Sequence, residues 1–307
     1  MSFRQESRKF KAAVAAAKEY IHHEDVNDIF FGNKYIDGKP QKELSIRFNV
    51  TKKRQKSKLK SNKLLPKKIG GFVTDVTEFK AKKNAREVNP LTSVRPLLGG
   101  IQIQSSLFNG PANWGTMGCA LPLNGNMYGL TNFHVSYGEL PDDQPPPDNV
   151  ILLQPKYRNF GEEVGRTVSV FNQRLDYSLF SLNVTSDTNQ SINGFAGEIE
   201  GFVRLTQNMH LYKYGASTGK TFGIFDARSI INQHRVIIRY DSEGPNDSTR
   251  ISAPGDSGSL WVTNQYSSPG KLKIGALHYG GDEDKNLAFA TLFSSIYQSI
   301  RNKIPSP

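Results

Sequence analysis

The run Gly255-Asp256-Ser257-Gly258-Ser259-Leu260 places a serine between two glycines. A hydroxyl that must attack a substrate has to stand clear of the backbone at a tight turn. Gly255 permits such a bend, so that its own N–H and that of Ser257 can converge on one spot and hold a developing oxyanion. The same run also suits a polar turn feeding a strand over Ser259–Thr263. A nucleophilic serine needs a base, and the base needs an orienting acid. Six histidines are available: His22, His23, His134, His210, His234 and His278. His134 stands out because it closes an apolar strand in Leu130-Thr131-Asn132-Phe133-His134-Val135. A matching acid is Asp176, which opens the strand-like run Asp176-Tyr177-Ser178-Leu179-Phe180-Ser181-Leu182, where a carboxylate can be half buried against an imidazole.

Two other chemistries fail on spacing. Gly215-Ala216-Ser217-Thr218-Gly219-Lys220-Thr221 resembles a phosphate-binding loop, but that loop needs four residues between its glycines, and here there are three. The run reads as strand, turn, strand, so no nucleotide site is expected. His22-His23-Glu24-Asp25 could hold a cation, yet adjacent helical histidines diverge by about 100°, unlike the i, i+4 pair of a zinc helix. No metal and no cofactor is expected.

The elements that must position these residues lie in a chain of 307 residues with uneven charge. Residues 1–100 carry 23 Lys and Arg against 10 Asp and Glu, whereas residues 101–307 carry 16 against 18. So abrupt a step marks a boundary near residue 95, between a basic accessory domain (1–95) and a second domain (96–307). Hydrophobic residues at 37% suffice for packed cores, and the single cysteine, Cys119, excludes an internal disulfide scaffold. No apolar stretch is long enough for a membrane helix. Ala12–Ala17 is too short for a secretory core, and Phe10, Ala13, Val14, Ala17 and Ile21 fall on one helical face. With a lone thiol and no export signal, the expected location is cytoplasmic.

In the first domain, strands are expected over 28–36, 44–50 and 72–79, with Asp37-Gly38 as a hairpin turn and one solvated face on 44–50. Between them, Lys52 to Lys68 contains nine basic residues and no acid. It is either a solvated loop or a contact for an acidic or nucleic-acid partner. It lacks aromatic residues for base stacking, which argues against sequence-specific RNA reading. From residue 100 the texture is short β-rich runs separated by Gly, Pro, Asn and Asp, the pattern of a sandwich or barrels. The last segment, 290–304, has helical spacing and ends at Pro305.

Taken together, Leu-Thr-Asn-Phe-His at 130–134, Asp-Tyr-Ser-Leu-Phe-Ser-Leu at 176–182 and Gly-Asp-Ser-Gly-Ser at 255–259 resemble the chymotrypsin/trypsin-like serine peptidases in order and in spacing. The resemblance covers about residues 100–300. It implies two six-stranded antiparallel Greek-key barrels, the first over about 100–190 and the second over about 195–288, followed by a C-terminal helix over about 290–304. It also implies His134 as general base, Asp176 as orienting acid, Ser257 as nucleophile, and the N–H groups of Gly255 and Ser257 as oxyanion donors. The basic leader, with Gly115-Thr116-Met117-Gly118, is similar to a bacterial trypsin-like group related to the plant narrow-leaf proteins.

The departures from the family pattern carry information. Secreted relatives have a cysteine one position after the histidine, and here that position is Val135. Zymogens of the family pair a cleavage-generated amine with the aspartate before the serine. Leu97-Leu98-Gly99-Gly100 only faintly resembles such a site, and without cleavage Asp256 needs another partner, because a buried lone carboxylate is costly.

Six positions before the serine, where tryptic members carry an acid, stands Ile251. His278-Tyr279-Gly280-Gly281 is similar to the His-Trp-Gly-Gly of glutamyl endopeptidases. With Ser252 as a second donor, it suggests a pocket for Glu before the cut; the alternative is that His278 only packs between strands. The expected activity is a serine endopeptidase acting on intracellular protein or peptide substrates through an acyl-enzyme. The rival is a catalytically silent scaffold whose basic domain binds nucleic acid or an acidic partner.

Overall fold

The computed structural model describes residues 8–23, 25–36, 39–54, 59, 64–78, 93–108, 113–141, 144–155, 161–183 and 188–304. The chain begins with α1 (Arg8–Lys18) and a short 3-10 turn, followed by the long hairpin β1 (Val26–Ile36) and β2 (Lys39–Val50) and the smaller β3 (Lys68–Ile69) and β4 (Phe72–Thr77). Ala13 and Ala17 on the predicted face of α1 are buried against Ile29, Phe31, Ile46 and Phe48. Asp37-Gly38, Glu24, Phe79, Pro305, and Lys56, Lys58, Lys60 and Lys63 of the basic run lie outside the described residues. The expected solvated face of 44–50 is not solvated. Ser45, Arg47 and Asn49 are as buried as their apolar neighbours, because this face packs against the rest of the molecule.

Ten strands follow. They are β5 (Leu97–Gly99), β6 (Gln102–Ser105), β7 (Gly115–Thr116), β8 (Cys119–Leu123), β9 (Asn126–Thr131), β10 (Ile151–Gln154), β11 (Glu162–Asn172), β12 (Tyr177–Leu182), β13 (Thr188–Ile192) and β14 (Glu198–Phe202), with the one-turn helix α2 (Phe133–Tyr137) after β9. Strands β6 to β12 make one sheet in the order β7-β6-β10-β11-β12-β9-β8. It curls into a half-barrel around Ile101, Ile103, Met117, Leu152, Val164 and Phe180. Cys119 is wholly buried, and burial pushes its thiol pKa up, so it acts as a core residue.

The second unit comprises β15 (His210–Gly215), β16 (Gly219–Ser229), β17 (Arg235–Tyr240), β18 (Leu260–Thr263), β19 (Lys271–Asp282) and β20 (Leu287–Leu292), ending in α3 (Phe293–Lys303). Each of the six pairs with two others, and the ring closes into a barrel. The fold is thus mainly β and of the double-barrel, chymotrypsin-like type, with a C-terminal helix. That helix starts later than the spacing over 290–304 predicts. Ala290, Thr291 and Leu292 belong to β20, where Ala290 pairs with Val236 on one side and His278 on the other, and these ladder bonds close the barrel. Leu130, Leu179, Leu260, Val262, Leu277, Ile296 and Ile300 fill the seam between the two units.

The basic leader is hydrogen-bonded to the second barrel. Phe30, Phe31 and Gly32 of β1 pair antiparallel with Ser229, Arg228 and Ala227 of β16. Gly32 is required there, because a Cβ would lie 2.3 Å from the Asp226 carbonyl oxygen. Behind this seam Arg47 donates to Asp226 at 2.9 Å, with both side chains buried.

Candidate active site

Asn132 leaves β9 in an extended conformation and caps α2, which fixes the position of His134 on the first turn. Opposite it, Asp176 occupies the left-handed region (φ 52°) at the turn into β12. Asn132 Nδ2 donates to the Asp176 carbonyl at 2.7 Å and pins that turn. Both carboxylate oxygens of Asp176 are used on His134. Oδ1 accepts from the backbone N–H at 3.0 Å, and Oδ2 lies 2.7 Å from Nδ1. Such a clamp sets the ring's orientation and its tautomer. His134 Nε2, at the far edge of the ring, is buried with no hydrogen-bond partner.

The loop before β18 carries Ser257. Gly255 has φ 95°, and a Cβ there would meet the Trp114 ring at 2.3 Å, so only glycine fits. The N–H groups of Asp256, Gly258 and Ser259 all donate to backbone carbonyls. Among the described residues those of Gly255 and Ser257 donate to none, which leaves two adjacent donors at the turn. Thr116 locks this loop. Its hydroxyl donates to the Gly255 carbonyl at 2.7 Å and accepts from Ala216 N–H at 3.1 Å, while its N–H donates to the Ser257 carbonyl at 2.7 Å. Ser257 Oγ donates to the Tyr279 carbonyl at 3.2 Å, and no hydrogen bond joins it to His134.

Asp256 is buried under the loop and is met by Lys213 at 2.8 Å. Its two carboxylate oxygens also accept from the Thr218 hydroxyl and from the N–H groups of Ala253, Ser217 and Thr218. Burial alone would raise this carboxyl, but the Lys213 charge, His278 and these hydrogen bonds hold it below the usual carboxylate range. The partner is therefore internal, and Leu97 lies in β5, paired with β13.

Ile251, Ser252, His278, Gly280 and Gly281 come together but are buried. His278 Nε2 lies 3.1 Å from Ser252 Oγ, and Nδ1 has no partner. Desolvation, with the nearby Lys213 charge, pushes this imidazole down to about 3, so it is neutral. The Gly215–Gly219 run is a β15–β16 hairpin, as its spacing predicts. No cluster of three or more metal-ligating side chains occurs among the described residues, and no helix among them is long and apolar enough to cross a membrane. A cleft of about 880 Å³ opens beside His134 and Asp176, lined also by Tyr279, Arg174, Arg235 and Lys303. Sequence reasoning missed Lys213, Thr116 as a brace, and this cleft.

No family model matches the chain, and no curated protein does. Solved structures do match. A glutamic acid-specific serine protease is 16% identical over 66% of this chain and 97% of its own, with a TM-score of 0.46. Protease A of Thermobifida fusca is 15% identical over 66% of this chain and 94% of its own, with a TM-score of 0.44. The chymotrypsin of Cellulomonas bogoriensis is 13% identical over 66% and 94%, with a TM-score of 0.43. The solved structures to which this chain is similar are chymotrypsin/trypsin-like serine proteases, and the likeness is one of fold.

Proposed function

We propose that the chain is a serine endopeptidase in which Ser257, His134 and Asp176 act together. The observation that supports this most directly is the Asp176 clamp on His134, with both oxygens engaged and Nε2 left without a partner. In this reading Ser257 Oγ turns from the Tyr279 carbonyl toward Nε2, gives up its proton and attacks a peptide carbonyl. The oxyanion is held by the N–H groups of Gly255 and Ser257. His134 then protonates the leaving amine, and water, activated by the same base, hydrolyses the acyl-enzyme. Catalytic hydrogen bonds are often long or misaligned before substrate binds, so the Ser257 rotamer fits this reading.

The residue before the cut is Glu in this proposal. Ser252 can donate to His278 Nε2, which leaves a proton on Nδ1 with no acceptor in the protein. Ile251 supplies no acid for a Lys or Arg side chain. The substrates are intracellular proteins, and the basic leader, rich in Lys and Arg through residue 68, recruits acidic or nucleic-acid partners. A fluorophosphonate probe tests the central claim. Labelling of Ser257, located by mass spectrometry and lost in Ser257→Ala and His134→Ala, supports it. A folded chain that resists the probe and leaves casein intact overturns it in favour of the silent scaffold.

A further inference from the structure

We propose that the cleft beside His134 is an anion-reading subsite, built to select substrates with an acidic side chain near the cut but not directly before it. This inference rests on the peptidase reading above. Three cations from three separate elements converge on the cleft: Arg174 from the turn before Asp176, Arg235 at the start of β17 and Lys303 at the end of α3.

Their positions are set by aromatic rings and a turn; Arg235 also lies within Coulombic reach of Asp28, whose Oδ1 accepts from Ser229 Oγ and Ile29 N–H. The Arg235 guanidinium lies 5.8 Å from the centre of the Tyr279 ring. Lys303 Nζ sits 4.8 Å over the Phe171 ring and donates to the Phe171 carbonyl at 2.5 Å. Arg174 is carried by a turn closed by Leu175 N–H on Asn172 Oδ1 and Asp176 N–H on the Gln173 carbonyl. None of the three is ion-paired among the described residues. Elsewhere on the surface Arg95, Arg166, Arg250 and Lys271 each pair with a glutamate. Of the two acids on the lining, Asp176 is engaged on His134, and Glu139 is exposed to solvent, where its charge is screened. The local field is positive enough to act on a neighbour: His234 is lowered by burial and then by repulsion from Arg228 and Arg174.

An arginine held against an aromatic face at the wall of a cleft is suited to a carboxylate, which it binds by charge-assisted, bidentate hydrogen bonds. A peptide advances at most about 3.6 Å per residue, so a cleft that abuts His134 collects side chains within about three residues of the bond being cut. The class of substrate is therefore a peptide with Glu or Asp two or three residues from the cut.

The test walks a single Glu, against a Gln control, through those positions on either side of the bond in a quenched fluorescent peptide, using the full chain. At one position or more, kcat/KM should favour Glu over Gln by about tenfold, the scale of one charge-assisted contact. That ratio should fall toward one in Arg174→Gln, Arg235→Gln or Lys303→Gln, and at high salt. A flat profile, or a Glu preference that survives all three substitutions, overturns the subsite while Ser257 labelling and peptide cleavage leave the peptidase reading standing. A chain that neither labels nor cleaves overturns both.

Discussion

Lys213 Nζ lies 2.8 Å from Asp256 Oδ2, with both side chains wholly buried, directly beneath the turn that carries Ser257. The chain thus neutralises from within the carboxylate whose position sets the Gly255 and Ser257 N–H groups. Breaking one side of such a pair leaves an uncompensated buried charge, at a cost of about 3–5 kcal/mol, whereas removing both sides costs far less. Lys213→Met should therefore lower the midpoint of urea unfolding sharply, and Lys213→Met combined with Asp256→Asn should recover much of the loss. A Lys213→Met protein of parental stability would show that the pair does not hold the turn.

Catalysis should need the three reacting groups as a unit. Ser257→Ala, His134→Ala and Asp176→Asn are each expected to lower kcat by about 10³–10⁶-fold, and the Ser257/His134 double variant should be hardly worse than Ser257→Ala. Asp176→Asn is the most informative of the set, because an amide keeps the size but cannot accept from both the backbone N–H and Nδ1 of His134 in the present geometry. Near-parental turnover in that variant would mean that another acid orients the ring.

Thr116 should act on turnover more than on binding. Its hydroxyl bridges the Gly255 carbonyl and the Ala216 N–H, and it does not line the cleft. Thr116→Val keeps the shape and removes both bonds, each worth about 1 kcal/mol, with a larger cost for a buried group left unmatched. The expected result is a fall in kcat of about 10–100-fold with KM little changed. Steady-state kinetics on a small ester, with kcat counted per fluorophosphonate-titrated active site, would show an unchanged kcat if Thr116 only supported the fold.

The candidate site residues could be picked out of the sequence because their types stand in short runs: a serine between glycines, a histidine after an apolar strand, an aspartate opening another. Lys213 was harder to recognise, although a signal existed. In β15, Leu211, Lys213 and Gly215 share the inward face of a strand with period two, so a lysine on that face had to find an anion. Arg47 carries the same message on β2, where alternation predicted an outward face and the structure buried it against Asp226. A strand's polar face reads as solvated only when nothing else packs on it, and which elements pack together is a long-range fact. The strand ending at Leu292 was hidden for a related reason: Leu292, Ile296 and Ile300 fit a helical period, and only the ladder to β17 and β19 makes Ala290 to Leu292 a strand.

The leader's attachment makes a definite forecast for stability. Arg47 and Asp226 form a buried pair across the seam between β2 and β16, and β1 continues the second barrel's sheet through Phe30, Phe31 and Gly32. Arg47→Met should cost about 3–5 kcal/mol by leaving Asp226 unpaired, and the loss should appear as one shifted transition for the whole chain. Limited proteolysis that removed the leader while the barrels unfolded at an unchanged temperature would contradict this.

His278 gives the molecule an acid limit. Its imidazole is held neutral by burial and by the Lys213 charge, with its folded value pushed down to about 3 against 6.5 for an ordinary histidine. Because the folded value is depressed, the stabilising contribution is complete above pH 6.5, where both states are neutral. It is lost as pH falls toward 3, because the unfolded chain takes up a proton that the folded chain refuses. The slope is about 1.4 kcal/mol per pH unit over that window. Asp256 adds to the loss only below its ordinary value of 3.8, since its folded carboxyl titrates lower still. Thermal unfolding measured between pH 7.5 and 4.5 should thus show a steady fall in Tm. His278→Gln, which cannot take the proton and can still reach Ser252, should be less stable at neutral pH and show a flatter profile. If the parent and His278→Gln lost Tm in parallel on acidification, the neutral, buried state of this histidine would not be what sets the limit.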